Sequence, residues 1–425
     1  MLTSIVGINW GDEGKGRMVD LLSRDYEIVV RYQGGNNAGH TVVCGNKLFV
    51  MNLLPSGILR SGIVNILAPG MVIDLEHINK EMDAIEKSGV RITPENLVLS
   101  SRATICLPFH SLLDSLEEDR LGSRKFGSTR RGISPAYADK YMKKSLRMID
   151  LFYPDDLENK VKELVEWKNL TIEKGYNAEA VDTESILRWL DRFGKPLIPY
   201  IKDTTAILSQ AVAEGKSILF EAQLGALRDI DYGIYPYTSA SSTLAAFATI
   251  GAGIPFAKLD QVIGIMKAYS SCVGEGPFAV ELFGDNGSRL REAGAEYGAA
   301  TGRPRRVGAF DAVASRYGVQ MQGCDCLALT KLDVLSYLEK IPVCTAYEIN
   351  GKRTGQFPSS IEELFAAKPV YEYFPGFGTD IASCRSYNAL PKEAREYVHA
   401  LEELVSCRIR YVSVGAERDA CIEIV

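Results

Sequence analysis

The chain has 425 residues, with 48 Lys and Arg against 54 Asp and Glu and a net charge of −6. That balance gives no general attraction to nucleic acid or to an anionic membrane, which leaves small molecules and proteins as partners. At roughly 150 residues per domain the length allows two or three units, but no Pro-rich or Gly/Ser-rich linker divides it, so one domain over 1–425 is expected. Strands are expected at residues 4–8, 28–32, 217–221, 262–266, 326–330 and 409–414, each a short apolar run. Helical patterns lie between them: Leu75, Ile78, Met82 and Ile85 form one stripe ended by Gly89, and Tyr397, Val398, Leu401, Leu404 and Val405 another begun by Pro391. Apolar strands alternating with helices predict an α/β fold, a large mostly parallel sheet covered by helices on both faces. Residues 151–216, richer in charge and helical pattern, read as a helical insertion.

The nine cysteines show no CxxC, and the N-terminal residues lack the basic and apolar regions of a signal peptide. Reduced thiols in a cytoplasmic protein are the expectation. Residues 232–257 carry no charge, yet Pro236, Pro255, three glycines and many Ser and Thr argue against a membrane span and for a buried, hydroxyl-rich ligand wall. Asn169-Leu170-Thr171 matches the glycosylation sequon by accident of sequence in such a chain.

Chemistry concentrates in the loops that follow the strands. Asn9-Trp10-Gly11-Asp12-Glu13-Gly14-Lys15-Gly16-Arg17 is a glycine-rich turn between the first strand and a helix. Freed N–H groups, a helix N-terminus and the Lys15 ammonium all favour phosphate there. It is P-loop-like without being a Walker A, because Gly16 stands where Ser or Thr would meet magnesium; Asp12 is the replacement ligand. Gly34-Gly35-Asn36-Asn37-Ala38-Gly39-His40-Thr41 follows the second strand and emerges at the same sheet edge. His40, one of four histidines, can donate to developing negative charge as a general acid. Arg303, Arg305 and Arg306 put three guanidiniums into four positions beside a glycine turn, suited to a dicarboxylate or a phosphate. Residues 122–132 form a second candidate anion loop, and Thr330-Lys331-Leu332-Asp333 places a carboxylate where it can accept from the N1 and N2 hydrogens of guanine.

Together these segments resemble the adenylosuccinate synthetase family. WGDEGKG, VVRYQGGNNAGHT, PSGIL, RGISPAYADK, DIDYGIYPY, KAYS, VGEGPF, TGRPRR and TKLDVL occur in the family's order up to residue 335, with looser matches beyond. The resemblance implies a GTP-dependent ligase joining L-aspartate to IMP, with Asp12 as general base and His40 as general acid. It implies that Gly11, Asp12, Glu13, Gly14, Lys15, Gly16 and Arg17, with Gly39, His40, Thr41 and Arg305, hold the GTP phosphates. Guanine would meet Lys331, Leu332, Asp333, Ser413, Val414 and Gly415. The IMP site would draw on Asp12, Glu13, Gly14, Lys15, Asn37, Ala38, Gly39, His40, Thr129, Lys143, Gln223, Leu224, Ser239 and Arg303. Aspartate would meet Ala299, Ala300, Thr301, Gly302, Arg303, Pro304 and Arg305, and Mg2+ would meet Asp12 and the Gly39 carbonyl. A homodimer with a shared active site is implied as well, because the family completes the IMP phosphate site with an arginine from the neighbouring subunit.

Three positions depart from the family. The cross-subunit arginine is Lys143, the GAQG turn reads Ala222-Gln223-Leu224-Gly225, and a threonine of the aspartate loop is Ala300. Lysine keeps the charge but not a bidentate grip. Two alternatives stand beside the ligase: a diverged homologue using another 6-oxopurine monophosphate or amino acid, and a non-catalytic GTP-binding regulator. A pure switch has no use for a proton acceptor and donor at Asp12 and His40.

Overall fold

The protein, described here from a computed structural model over residues 1–44, 47–298 and 302–424, is organised by one ten-stranded sheet. Its strands in chain order are β1 (Leu2–Gly7), β2 (Ile28–Arg31), β3 (Val64–Leu67), β4 (Leu97–Ser100), β5 (Ile201–Lys202), β6 (Ile218–Glu221), β7 (Gln261–Lys267), β8 (Cys326–Thr330), β9 (Ile409–Ser413) and β10 (Cys421–Glu423). They lie in the order β10-β9-β8-β7-β1-β6-β2-β3-β4-β5. Every neighbouring pair is parallel except β9 with β10. The six strands that the sequence predicts are the consecutive run from β9 to β2, so the sheet's centre is the part with uninterrupted apolar patterning. The edge strands are two to four residues long, too short for a pattern to mark them.

Helix α1 (Lys15–Leu22) follows β1 and buries Met18, Val19 and Leu22 against Ile5, Val29, Leu219 and Ile263 of the sheet. Helix α2 (Leu75–Lys87) is capped by the Asp74 carboxylate, which accepts from His77 N, and buries Leu75, Ile78, Met82 and Ile85. Helix α3 (Pro108–Leu121) and helix α4 (Ile133–Tyr141) flank the loop of residues 122–132. The helix over Lys392–Val405 starts after Pro391 and buries Tyr397, Val398, Leu401 and Val405.

Residues 151–216 hold helices over Pro154–Asn169, Thr183–Gly194 and Thr204–Ala213, and they also supply β5 to the sheet edge. Val161, Leu164, Val165, Ile186 and Leu190 from this segment join the core around α2 and β4. The Asn169 amide is occupied on both sides by Val181, donating to its carbonyl at 3.0 Å and accepting from its N–H at 2.9 Å. Residues 232–257 are split: Ser239, Ser241, Thr243 and Thr249 are buried, whereas Tyr232, Tyr235, Ile250 and Phe256 face outward. No helix among the described residues is long and apolar enough to cross a membrane. An antiparallel unit of Lys340–Ile349, Lys352–Thr354 and Lys368–Pro375 has no counterpart among the predicted elements.

The helix Ala312–Gln322 passes close over the end of β1. Gln322 donates to the Gly7 carbonyl at 2.9 Å, and Asn9 donates to Ser315 Oγ at 3.0 Å. A Cβ on Gly318 would lie 2.0 Å from the Ile8 carbonyl oxygen. Gly318→Ala should therefore destabilise the fold by about 2 kcal/mol, the overpacking cost exceeding the gain in helix propensity of about 1 kcal/mol. A lower urea midpoint at unchanged m-value is the expected result.

Candidate active site

Loops from β1, β2, β6, β7, β8 and β9 meet at the carboxyl edge of the sheet, where open α/β sheets bind ligands. The first turns sharply, with φ of 101° at Gly11, 60° at Asp12 and 101° at Gly14 before α1 begins at Lys15. A left-handed φ at Asp12 is rare for a residue with a side chain. Glu13 holds the turn from inside: its Oε1 accepts from Asn9 N at 3.1 Å and Gly11 N at 2.8 Å, and its Oε2 pairs with Lys15 Nζ at 2.5 Å. Both charges are buried.

The second loop brings His40 onto α1. A Cβ on Gly16 would lie 2.8 Å from His40 Cβ, so the ring's neighbour has to be glycine. His40 Nδ1 bonds to Glu221 Oε1, and Glu221 also accepts from Ser56 N at 2.8 Å and Ser56 Oγ at 2.7 Å. His40 Nε2 is buried with no hydrogen-bond partner. Burial, helped by the Arg31 guanidinium, pushes the imidazole below its ordinary pKa. Burial alone would raise the Glu221 carboxyl, but His40 and Arg31 bring it below its usual value.

Asp12 faces a third loop. Arg305 Nε lies 3.0 Å from Asp12 Oδ2 as an ion pair without an aimed hydrogen bond, and its Nη1 donates to Glu296 Oε2 at 2.9 Å. Glu296 also takes Lys267 Nζ at 2.7 Å and Tyr269 Oη at 2.5 Å. Burial would raise the Glu296 carboxyl, yet Lys267 and Arg305 hold it down to about 2. A buried chain Lys267–Glu296–Arg305 thus ends on the Asp12 carboxylate.

Two further segments close the edge. Thr330 Oγ1 donates to the Glu13 carbonyl at 2.7 Å, tying β8 to the first loop. Lys331, at φ 63°, donates to the Gly294 carbonyl at 2.6 Å, and burial raises the nearby Asp333 carboxyl. Arg17 bonds to Ser413 Oγ and donates to the Ala420 carbonyl at 3.0 Å, which fixes the turn after β9 beside α1.

The model of the family described as adenylosuccinate synthetase matches residues 4–422. Adenylosuccinate synthetases of Crocosphaera subtropica and Bifidobacterium adolescentis are 44% and 43% identical to this chain. The alignments cover 98% and 99% of it and 93% and 98% of theirs. This chain belongs to the adenylosuccinate synthetase family. The solved structure of the fully ligated adenylosuccinate synthetase from Plasmodium falciparum is similar over 100% of both chains, with a TM-score of 0.94 and 34% identity. A cyanophage S-2L succinoaminodeoxyadenylate synthetase, bound to dGMP and dATP, shares the fold at a TM-score of 0.62 and 18% identity, over 99% of this chain and 94% of that one.

Within this adenylosuccinate synthetase fold the structure brings Asp12, Lys15, Gly16, His40, Arg305, Lys331 and Asp333 to one edge. Other site residues sit differently from a simple reading of the motif. The Glu13 side chain is turned into its own loop, and Leu332 and Val414 are buried, leaving only their backbone toward any ligand. Gln223 is buried, its Nε2 donating to Asn37 Oδ1 at 2.6 Å and its Oε1 accepting from Arg31 at 2.6 Å, so it orients Asn37. Leu224 has φ 64°, and its Cα lies 3.3 Å from where a Gly11 Cβ would be. Asn52 donates to the Ala38 carbonyl at 2.9 Å, and Ser239 is buried with its N–H on the Arg228 carbonyl.

The arginine cluster divides. Arg305 points inward, exposed Arg303 pairs with Glu275 at 3.6 Å, and Arg306 grips Glu281 and donates to the Gly276 carbonyl at 2.8 Å. Arg306 is therefore a structural residue, because neighbours in an extended segment project to opposite sides. Gly302 and Pro304 are exposed, and Ala299, Ala300 and Thr301 lie outside the described residues. The 122–132 loop is not a free anion loop either: its amides at Phe126, Gly127, Ser128 and Gly132 already donate to Glu118 and Asp114. Thr129 and Lys143 are both exposed.

Sequence reading misses Arg31, Glu221 and Lys267, each buried at the carboxyl end of a strand. A lone charge ending an apolar run is the signal that could have found them. Glu221→Gln should lower turnover about 10²-fold, the scale of a mispositioned acid, while GTP binding changes much less. Steady-state kinetics beside a calorimetric GTP titration check this.

Proposed function

We propose that the chain joins L-aspartate to IMP with hydrolysis of GTP, forming adenylosuccinate, GDP and phosphate in AMP synthesis. The observation that carries this reading is the seating of His40. Its ring rests on Gly16 at the start of the phosphate-loop helix, Glu221 holds one nitrogen, and the other nitrogen is buried and unpartnered. A polar atom so placed suits a ligand that supplies its partner.

In the proposed sequence Asp12 accepts the N1 proton of IMP, and the 6-oxygen becomes the nucleophile. That oxygen bonds to the γ-phosphorus of GTP as the bond to the β-phosphate oxygen breaks and GDP leaves. His40 and Lys15 stabilise the charge that moves onto the phosphate oxygens. The aspartate amine then attacks C6 and the C6–O bond breaks, releasing phosphate. Arg303 and Arg305 are assigned to the aspartate carboxylates as charge-assisted donors, and Lys331 and Asp333, with the backbone of the 413–415 turn, are assigned to guanine.

No group of three or more His, Cys, Asp or Glu among the described residues forms a metal cage. Asp12 and the Gly39 carbonyl would hold a Mg2+ ion, being oxygen donors of the kind that ion takes. Such an ion, when bound, neutralises phosphate charge. Cys106, Cys272, Cys324, Cys326, Cys344, Cys384, Cys407 and Cys421 are free thiols, in keeping with a cytoplasmic setting. Lys143 has φ 62° and follows Tyr141 and Met142, which are 75% and 52% exposed. An apolar pair flanking a basic tip supports a homodimer in which Lys143 reaches the partner's IMP phosphate.

Phosphate release measured with GTP and Mg2+ against a panel of purine monophosphates and amino acids tests the assignment. Activity confined to IMP and aspartate is expected, and the panel covers the acceptor change that Leu224 invites. Asp12→Asn keeps size but removes proton acceptance, so turnover should fall about 10²-fold or more; near-normal turnover would take the role of base away from Asp12. Mixing inactive Asp12→Asn with inactive Lys143→Leu protein should restore activity if the site is shared. Random pairing makes about half the dimers mixed, each with one intact site, so roughly a quarter of wild-type activity is the ceiling. No recovery despite demonstrated subunit exchange would remove Lys143 from the shared site.

A further inference from the structure

The 122–132 loop follows a path that the backbone alone would not hold. Gly127, Arg130 and Gly132 have φ of 78°, 57° and 74°. At Gly132 a Cβ would lie 2.5 Å from the His110 carbonyl carbon and from Ser111 N. Two buried carboxylates one turn apart on α3 fix this path. Glu118 Oε1 accepts from Phe126 N at 3.0 Å, and its Oε2 accepts from Gly127 N at 3.0 Å and Ser128 N at 3.1 Å. Asp114 accepts from Ser128 Oγ at 2.7 Å and from Gly132 N at 2.9 Å. Three successive N–H groups converging on one carboxylate make an anion-binding nest, here filled from within the chain.

The helices on either side are themselves locked. His110 Nδ1 accepts from Leu107 N at 2.9 Å, so its Nε2 carries the proton and donates to Asp139 Oδ2 at 2.9 Å across to α4. Asp139 also pairs with Lys168. With both ends anchored, the loop's shape depends on the Glu118 nest, and releasing it would leave a buried carboxylate without donors. Between the two clamps the loop presents Thr129, Arg130 and Arg131 outward, and Arg130 is paired with Asp119 on α3.

We propose that Glu118 is a positioning residue for the acceptor nucleotide: its carboxylate, with that of Asp114, sets the 126–132 backbone so that Thr129 meets the nucleotide phosphate without reordering the loop. This rests on the assignment of Thr129 to the IMP site. A preorganised binding loop acts on affinity for one substrate and not on the chemical step.

Glu118→Gln sets an amide against three N–H donors. It should raise KM for IMP about tenfold, the scale of losing a charge-assisted hydrogen bond, with kcat and the KM values for GTP and aspartate within about twofold. Thr129→Ala should also raise KM for IMP, and adding Glu118→Gln to it should change little, since the loop then has no threonine hydroxyl to present. An equal rise on both backgrounds, or a fall in kcat at unchanged KM, would reduce Glu118 to a stabilising role and overturn the proposal. Thr129→Ala leaving KM for IMP unchanged would instead overturn the loop's assignment to the nucleotide, and the proposal with it. If Glu118→Gln does not fold, Ser128→Ala removes the hydroxyl that donates to Asp114 and accepts from Arg130 N within the loop. A rise in KM for IMP of about threefold, absent on the Thr129→Ala background, is then expected, and no rise overturns the proposal.

Discussion

A buried carboxylate pressed against a buried ammonium decides how the carboxyl edge of the sheet is laid out. The turn buries Lys15 and leaves the Asn9 and Gly11 N–H groups outside strand and helix, and an unpaired buried charge costs several kcal/mol. Glu13 resolves both demands, closing the turn through Asn9 N and Gly11 N while pairing with Lys15. Its neighbours are cut to fit: a Cβ on Gly7 or on Gly225 would lie 2.6 or 2.7 Å from its carboxylate oxygens. Thr330 then ties β8 to the Glu13 carbonyl. Three strand ends thereby meet at one residue, two at its side chain and one at its carbonyl.

A second layer of charge sits at the strand ends. Arg31, Glu221 and Lys267 terminate β2, β6 and β7, all buried, and each meets a partner from a different loop: Gln223, His40 and Glu296. Fixed charges at the sheet edge act as oriented dipoles do in other electrostatic sites, already arranged before a ligand arrives. Asp12 and His40 are the points at which this buried network faces the ligand edge, the first through Arg305 and the second through Glu221.

Local features were legible in the sequence and remote ones were not. The glycine turn around Asp12, the loop ending in His40 and the six central strands each announce themselves within about a dozen residues. Glu221 and Lys267 do not, because His40 and Glu296 lie 181 and 29 positions from them. The arginine run misled in part: Arg306 counts as a ligand group in sequence but is committed to Glu281 in the fold. In the 122–132 loop the composition does not show that the amides at 126–128 are already taken by Glu118. Antiparallel pairing over residues 340–375 joins segments whose patterning is weak, so that unit was invisible.

The contact between Gly16 and His40 also constrains how such a loop can change over time. In a Walker-type turn the residue after lysine is a hydroxyl that reaches the metal; here a Cβ at Gly16 would lie 2.8 Å from the His40 Cβ and 3.3 Å from its Cγ. Every residue but glycine carries that first atom, so the space for a hydroxyl after Lys15 is closed by the course of the second loop and not by the imidazole alone. Replacing His40 while its loop keeps its path would leave position 16 as crowded as before. A serine after the lysine could enter such a turn only if the neighbouring loop were rerouted.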